Sequence, residues 1–272
     1  MPGLRLPHST PHLCVSWQPP NESSLQDQAE SLARVLGCPC ISVEQRTMEL
    51  ALIYTCQGLE LQESAPAGGI THSRLHVDFN SAQLRYRLRH GGGIRQPLAR
   101  AIGIKPGHRP TIADATAGLG IDGFIFAALG CQVTLIERSP VLAALLSDGL
   151  SRLRHDPQSS DISQRLSLHC GNALDLLGQL PERPETIYLD PMYPKQEKAA
   201  LNKQEMRLIR TLVGDDHDAG HLLDRALTIA CERVVVKRPK RAGELTSTRP
   251  SHAIHMKNSR YDVYLIRSSN GA

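Results

Sequence analysis

Apolar residues along this chain follow two rhythms, and the change between them falls near residue 90. In residues 22–36, Leu25, Ala29, Leu32 and Leu36 recur at helical spacing with Gly37 beyond them, which predicts an amphipathic helix with a glycine stop. "MELALIYT", "LELQE" and "RLHVDF" are short β-rich runs broken by Gly58 and "APAGG", which predicts strands. Residues 1–85 therefore read as a small N-terminal α/β domain. Beyond them strand-like and helix-like runs alternate. "TIADA" precedes "GFIFAAL". "QVTLIE" precedes "SPVLAALLSDGLSRL", with Ser139 as N-cap and Pro140 at the first helical position. "RLSLHC" precedes "ALDLLGQL", and "TIYLD" precedes a long polar helical region. "RVVVK" is a fifth apolar strand. "HAIHMK", a turn at Asn258-Ser259 and "YDVYLI" then predict a terminal antiparallel hairpin. Such alternation forces a parallel sheet covered on both faces, and residues 86–272 are expected to form a seven-stranded, mostly parallel α/β sheet. Ligands bind such sheets beyond the carboxyl ends of the strands, so residues directly after the strands are the ones to read for chemistry.

Composition narrows the class. Of 272 residues, 40 % are hydrophobic and 21 % charged, as in a folded soluble protein. No apolar run approaches the ~20 residues of a bilayer span. The N-terminal "MPGLRLPHSTPHLCVSW" lacks the apolar core of a signal peptide, so a cytoplasmic location is expected. The seven cysteines are scattered, and Cys38-Pro-Cys40 has no second pair to complete a metal site. His217 and His221 stand four apart but lack the glutamate of a zinc protease motif, so no metal is expected.

The net charge of +4 is modest, but its distribution is not. From Phe79 to Ala113 no acidic residue occurs, while Arg85, Arg87, Arg89, Arg95, Arg100, Lys105 and Arg109 do. Arg233, Lys237, Arg238, Lys240 and Arg241 form a second cluster, and Lys195, Lys198 and Lys203 a third. Clusters of this kind suit a polyanion-binding face. Arg85, Arg87, Arg89, Arg95, Lys195, Lys198, Lys237 and Arg238 are the candidate contacts for such a polyanion, RNA among them.

Acids close three of the strands: Asp114, Glu137 and Asp190. After the first lies "DATAGLGIDG", whose Gly118, Gly120 and Gly123 spell the G-x-G-x-x-G of a dinucleotide loop. A pyrophosphate would be repelled by the carboxylates of Asp114 and Asp122 that bracket it. A ligand with a cationic end, such as the ammonium and sulfonium of S-adenosylmethionine, would not. Glu137, about 20 residues beyond the loop, stands where an acid grips ribose hydroxyls in either class of site. "YLDPMYP" follows the fourth strand and resembles the Asp-Pro-Pro-Tyr signature of methyltransferases acting on exocyclic or amide nitrogens. Such a nitrogen is a poor nucleophile because its lone pair is delocalised. Acceptors from Asp190 and the Pro191 carbonyl would aim that lone pair, and Tyr193 would stack on the planar base. Met192 replaces the second proline, a departure from the adenine enzymes. On the residues alone, an adenine-N6 or protein-glutamine methyltransferase, an NAD-dependent oxidoreductase and a non-catalytic RNA-binding protein all remain open.

Taken together, "RHGGGIRQPLARAIGIK", "DATAGLGIDGFIFAALGC", "ERSPVLAALLSDGL", "YLDPMYPKQEKAAL", "EMRLIRTLVGDD" and "RVVVKRP" resemble the bacterial ribosomal RNA small subunit methyltransferase J family over roughly residues 89–240. The resemblance implies a Rossmann-like class I methyltransferase fold and S-adenosylmethionine as methyl donor. The implied acceptor is the N2 of a guanosine near the 3′ end of 16S ribosomal RNA, in naked RNA or in the small ribosomal subunit. It also implies cofactor contacts at Ile121, Asp122, Glu137, Arg138, Gly171, Asn172 and Asp190, beside Asp114, Gly118 and Gly120 of the loop. The catalytic residues it implies are Asp190, Pro191 and Tyr193.

Overall fold

The computed structural model describes residues 13–63, 74–192, 207–210, 212 and 218–266. The N-terminal part contains β1 (Leu13–Trp17), α1 (Ser23–Leu36), β2 (Leu50–Thr55), β3 (Gly58–Glu63) and β4 (Arg74–His76). These strands form a four-stranded sheet in the order β1-β2-β3-β4, with β1 parallel to β2 and the other pairs antiparallel. Helix α1 buries Ala29, Ala33 and Leu36, and Gly37 ends it in the left-handed conformation at φ 72°. Strand β1 is absent from the pattern-based reading. It is a five-residue run that four buried residues join to β2, with no alternation to mark it.

Helices α2 (Ala82–His90) and α3 (Pro97–Ala101) lead into the larger sheet. There follow β5 (Ile112–Asp114), α4 (Ile121–Ala128), β6 (Val133–Glu137), α5 (Pro140–His155), α6 (Ser160–Ser163), β7 (Leu166–Cys170), α7 (Ala173–Leu176), β8 (Thr186–Leu189), α8 (Ala219–Ile229), β9 (Arg233–Pro239), β10 (His252–His255) and β11 (Ser259–Leu265). The strand order is β10-β11-β9-β8-β5-β6-β7. From β9 to β7 every pairing is parallel, and β11 and β10 are antiparallel, as the sequence predicts. The chain leaves β5 toward β6 and β7, then returns to β8 on the other flank of β5. That reversal opens a crevice above the carboxyl end of β5, where open α/β sheets bind ligands.

Local chemistry fixes the helices that border the crevice. Ser139 Oγ accepts the Leu142 N–H at the start of α5, with Pro140 at the first position. A Cβ on Gly123 would lie 2.3 Å from Leu135 Cδ2, so the glycine lets α4 settle onto β6. One apolar cluster joins the two sheets: Leu52, Leu61 and Val77 pack in it with Leu146 and Leu150 of α5 and with Phe124 and Tyr188. At that seam Asp148 Oδ2 accepts the Leu59 N–H at 3.1 Å and the Arg152 guanidinium at 2.9 Å, and Arg152 donates to the Val77 carbonyl. A second cluster, with Ile187, Leu189, Val234, Val236, Leu222 and Leu223, fills the opposite face of the larger sheet. Among the described residues no helix is long and apolar enough to cross a membrane.

Candidate active site

The strand ends bring the sequence-predicted acids to one place. Asp114 closes β5 and is 2 % exposed; its Oδ1 accepts the Thr116 N–H at 3.3 Å. Thr116 Oγ1 in turn accepts the Asp190 N–H at 2.6 Å, which ties the glycine loop to the end of β8. Glu137, at the end of β6, is buried, and its two oxygens accept the N–H groups of Gly118 and Ser139, each at 2.7 Å. One carboxylate thus holds both the glycine loop and the entry to α5. A carboxylate accepts about four hydrogen bonds, so this anchoring does not exhaust it. Gly118 has φ 56°, and a Cβ there would meet nothing nearer than the Thr116 carbonyl oxygen at 4.0 Å. The space beside Gly118 is open, whereas that beside Gly120 and Gly123 is filled by Leu146 and Leu135.

Asp122, in the first turn of α4, is the hub of the charged network. Its Oδ1 accepts from Arg87 at 3.2 Å; its Oδ2 accepts the Tyr188 hydroxyl at 2.8 Å and the Lys237 ammonium at 3.2 Å. Lys237 also donates to Asp190 Oδ2 at 2.6 Å. Register explains the meeting: β8 and β9 are parallel with Leu189 opposite Val236, so the next residues, Asp190 and Lys237, are neighbours.

The electrostatics follow from this wiring. Burial alone would push the Asp122 carboxyl up, but Lys237, Arg87 and the Tyr188 hydroxyl outweigh it and hold it below the usual carboxylate range. Burial pulls the Lys237 ammonium down, while Asp190 and Asp122 overcome that and hold it well above its ordinary value. Asp114 has no such cation. Burial first, then the Asp122 charge, push its carboxyl well above its ordinary value of 3.8.

Other expected contacts fall as follows. The Gly171 N–H donates to the Glu137 carbonyl at 2.9 Å, and Asn172 Oδ1 caps α7 by accepting the Leu174 N–H at 3.0 Å. Arg138 pairs with Asp218 at 3.3 Å, and Ile121 is half-buried against the main core. Pro191 is buried just after β8. Tyr193, Lys195 and Lys198 lie outside the described residues, as do Lys203 and His217. Arg85, Arg89 and Arg95 are exposed.

Two of the expected RNA contacts are engaged within the protein. Lys237 is held between Asp122 and Asp190. Arg238 is 4 % exposed and donates to the Gly243 carbonyl, on the face of β9 that it shares with Val234 and Val236. Arg87 remains on the exposed basic helix, yet its guanidinium reaches Asp122. The roles of Lys237, Arg87, Tyr188 and Thr116 in the site are not legible in their local sequence; only the register of β8 on β9 and the fold of α2 bring them in.

Away from these acids, a cavity of about 350 Å³ opens at the amino ends of β5, β6 and β7, lined by Gln132, Arg165 and Glu182 among others; it contains none of the strand-end acids. His108, Glu185 and Glu232 also meet at that end, where Glu185 accepts the Thr111 N–H. The cysteines are free thiols, and burial pushes Cys38 up to about 11.

Known proteins resemble this chain in sequence and in fold. A SAM-dependent methyltransferase family model matches residues 40–266. The ribosomal RNA small subunit methyltransferase J of Thioalkalivibrio sulfidiphilus is 49 % identical over 243 residues, covering 89 % of this chain and 94 % of that protein. The protein of the same name from Desulfotalea psychrophila is 48 % identical over 238 residues, covering 88 % and 91 %. Among solved structures, a SAM-dependent methyltransferase from Neisseria gonorrhoeae matches with a TM-score of 0.70 and 32 % identity, covering 94 % of this chain and 97 % of that one.

Proposed function

The chain belongs to the ribosomal RNA small subunit methyltransferase J family, and from that premise we propose that it methylates the exocyclic N2 of a guanosine in small-subunit ribosomal RNA, with S-adenosylmethionine as donor. The observation that carries the reading is Asp190, placed at the end of β8, joined to the glycine loop through Thr116 and held by Lys237 at 2.6 Å.

The residues present fit S-adenosylmethionine. The open face of Gly118 admits a ligand, and Asp114 suits a cationic amino-acid end, while Asp122 beside it holds Lys237 and Arg87. Glu137 suits the ribose, and Gly171 and Asn172, at the end of β7, are among the cofactor contacts that the resemblance implies. When bound, this cofactor supplies an electrophilic methyl group on a sulfonium. The chain's part is positioning. Asp190, its plane fixed by Lys237, accepts one N–H of the guanine amine, and the Pro191 carbonyl accepts the other. The nitrogen lone pair is thereby aimed out of the ring plane, a matter of orientation and electrostatics rather than prior deprotonation. The proton shed after methylation passes to the Asp190 carboxylate or to water. Tyr193 supplies the stacking face. Arg85, Arg89 and Arg95 hold phosphates, which position the RNA without reading its sequence. Such chemistry on ribosomal RNA belongs to the cytoplasm.

The test offers the purified protein methyl-labelled cofactor with small ribosomal subunits, bare RNA and total protein, and digests the product to nucleosides. Label in N2-methylguanosine is the expected result; label in N6-methyladenosine or only in protein overturns the reading. Asp190→Ala is expected to abolish transfer while S-adenosylhomocysteine still binds.

A further inference from the structure

Helix α2 carries a feature that methyl transfer does not use. Its Leu84 is buried, and Tyr86 and His90, one turn apart, lie on the opposite side of the helix. Tyr86 is 64 % exposed, the one aromatic among the large exposed apolar side chains of the described residues. Its ring is not loose. It stacks on the His90 imidazole with centroids 4.2 Å apart and planes at 24°, and His90 Nδ1 donates to the Tyr86 carbonyl at 3.1 Å. The face-to-face pair is thus held in place before any ligand arrives, with ring surface of Tyr86 still open to one.

The surroundings choose the occupant. Arg85, Arg87 and Arg89 are exposed on the same helix and Arg95 follows it, with no acid between Phe79 and Ala113. A second copy of this chain would bring the same positive charges to the contact, which disfavours self-association here. A planar base on a phosphate backbone meets both demands, ring face to ring face and phosphate to guanidinium. The helix also stands at the mouth of the site, since Arg87, next to Tyr86 in sequence, reaches Asp122 at 3.2 Å.

We propose that the Tyr86–His90 stack is a platform for an unpaired RNA base flanking the target guanosine. This deepens the proposed function and rests on it. A base–aromatic stack removed by alanine weakens single-strand binding by about 10-fold, and it does so without changing the number of phosphates neutralised. An arginine–phosphate contact does change that number, by about 0.7 in the slope of log affinity against log salt for single strands.

The experiment uses the full chain, a fluorescein-labelled single-stranded RNA of mixed sequence and isolated small ribosomal subunits. Tyr86→Ala is expected to weaken RNA binding about 10-fold with an unchanged salt slope, to raise KM for subunits more than it lowers kcat, and to leave S-adenosylhomocysteine binding intact. Tyr86→Phe is expected to bind as wild type, and Arg89→Ala to flatten the salt slope. The proposal is overturned if Tyr86→Ala binds RNA as wild type does, if Tyr86→Phe is as weak as the alanine variant, or if Tyr86→Ala changes only the oligomeric state. A wild-type protein that binds S-adenosylhomocysteine but neither binds nor methylates RNA overturns the parent reading as well, and so separates the two failures.

Discussion

Lys237 donates to Asp190 across 2.6 Å, a contact that exists because Leu189 and Val236 are paired on adjacent parallel strands. The same ammonium reaches Asp122 at 3.2 Å, so a single cation links the end of β8 to the first turn of α4. On the proposed function, Lys237 is therefore a positioning residue for Asp190, the group we propose meets the target amine.

Lys237→Met is expected to lower kcat about 100-fold, the scale on which a small misplacement of a reacting group is felt. Lys237→Arg keeps a cation on the same strand and should recover part of the loss. Steady-state kinetics with subunits, alongside S-adenosylhomocysteine titration, check it. A fall in kcat with little change in cofactor affinity is the expected pattern, whereas a structural defect would lower both.

Glu137 holds the backbone of Gly118 and Ser139 through both oxygens. In Glu137→Gln the amide nitrogen must face one of those N–H groups, donor against donor. A buried donor left without its acceptor costs about 1–3 kcal/mol. Denaturant unfolding should show a loss of that size, and the affinity for S-adenosylhomocysteine should fall with it because the glycine loop loses its anchor.

Asp114 binds its proton more tightly in the folded chain than in the unfolded one, since burial and then the Asp122 charge raise its pKa well above 3.8. The folded state therefore loses stability through this group as pH rises from the ordinary carboxylate range toward the raised value, and loses no more beyond it. Asp114→Asn removes that loss. Melting temperatures measured at about pH 4 and about pH 8 should show the variant gaining on wild type at the higher pH. Cofactor affinity should fall, because the cationic end of the ligand loses a partner.

The glycines of "DATAGLGIDG" separate by substitution. Gly123→Ala forces a Cβ to within 2.3 Å of Leu135 Cδ2 and should destabilise by about 1–3 kcal/mol through overpacking. Gly118→Ala meets open space and bears only the cost of φ 56°, about 1–2 kcal/mol for a residue with a Cβ. Its larger effect should be on ligand binding, since the open space lies over the loop. Thermal melts with and without S-adenosylhomocysteine distinguish the two.

The sheet was legible in the sequence because strands buried on both faces read as apolar runs, and the acids were legible because each ends such a run. Arg238 could not be read from alternation, because β9 is buried on both faces: Val235 packs in one apolar cluster and Val234 and Val236 in the other. Lys237 was hidden as well. Its charge is visible in "RVVVKRP", but its partners are 47 and 115 residues away and are set by strand register. Strand β1 was hidden for a related reason, since Leu13, Cys14, Val15 and Ser16 are all buried and carry no polar–apolar alternation.

Gly149 of α5 sits so close to Val77 that a Cβ would lie 2.6 Å from Val77 Cγ1, and one apolar cluster runs across that seam. The N-terminal sheet is thus the roof of α5 and not an appendage to it. A truncation that began after residue 85 would bare Leu146 and Leu150 to water, and the remaining chain would be prone to clump before it could be assayed. A chimera that swaps one sheet must therefore carry the matching face of α5 from the same parent.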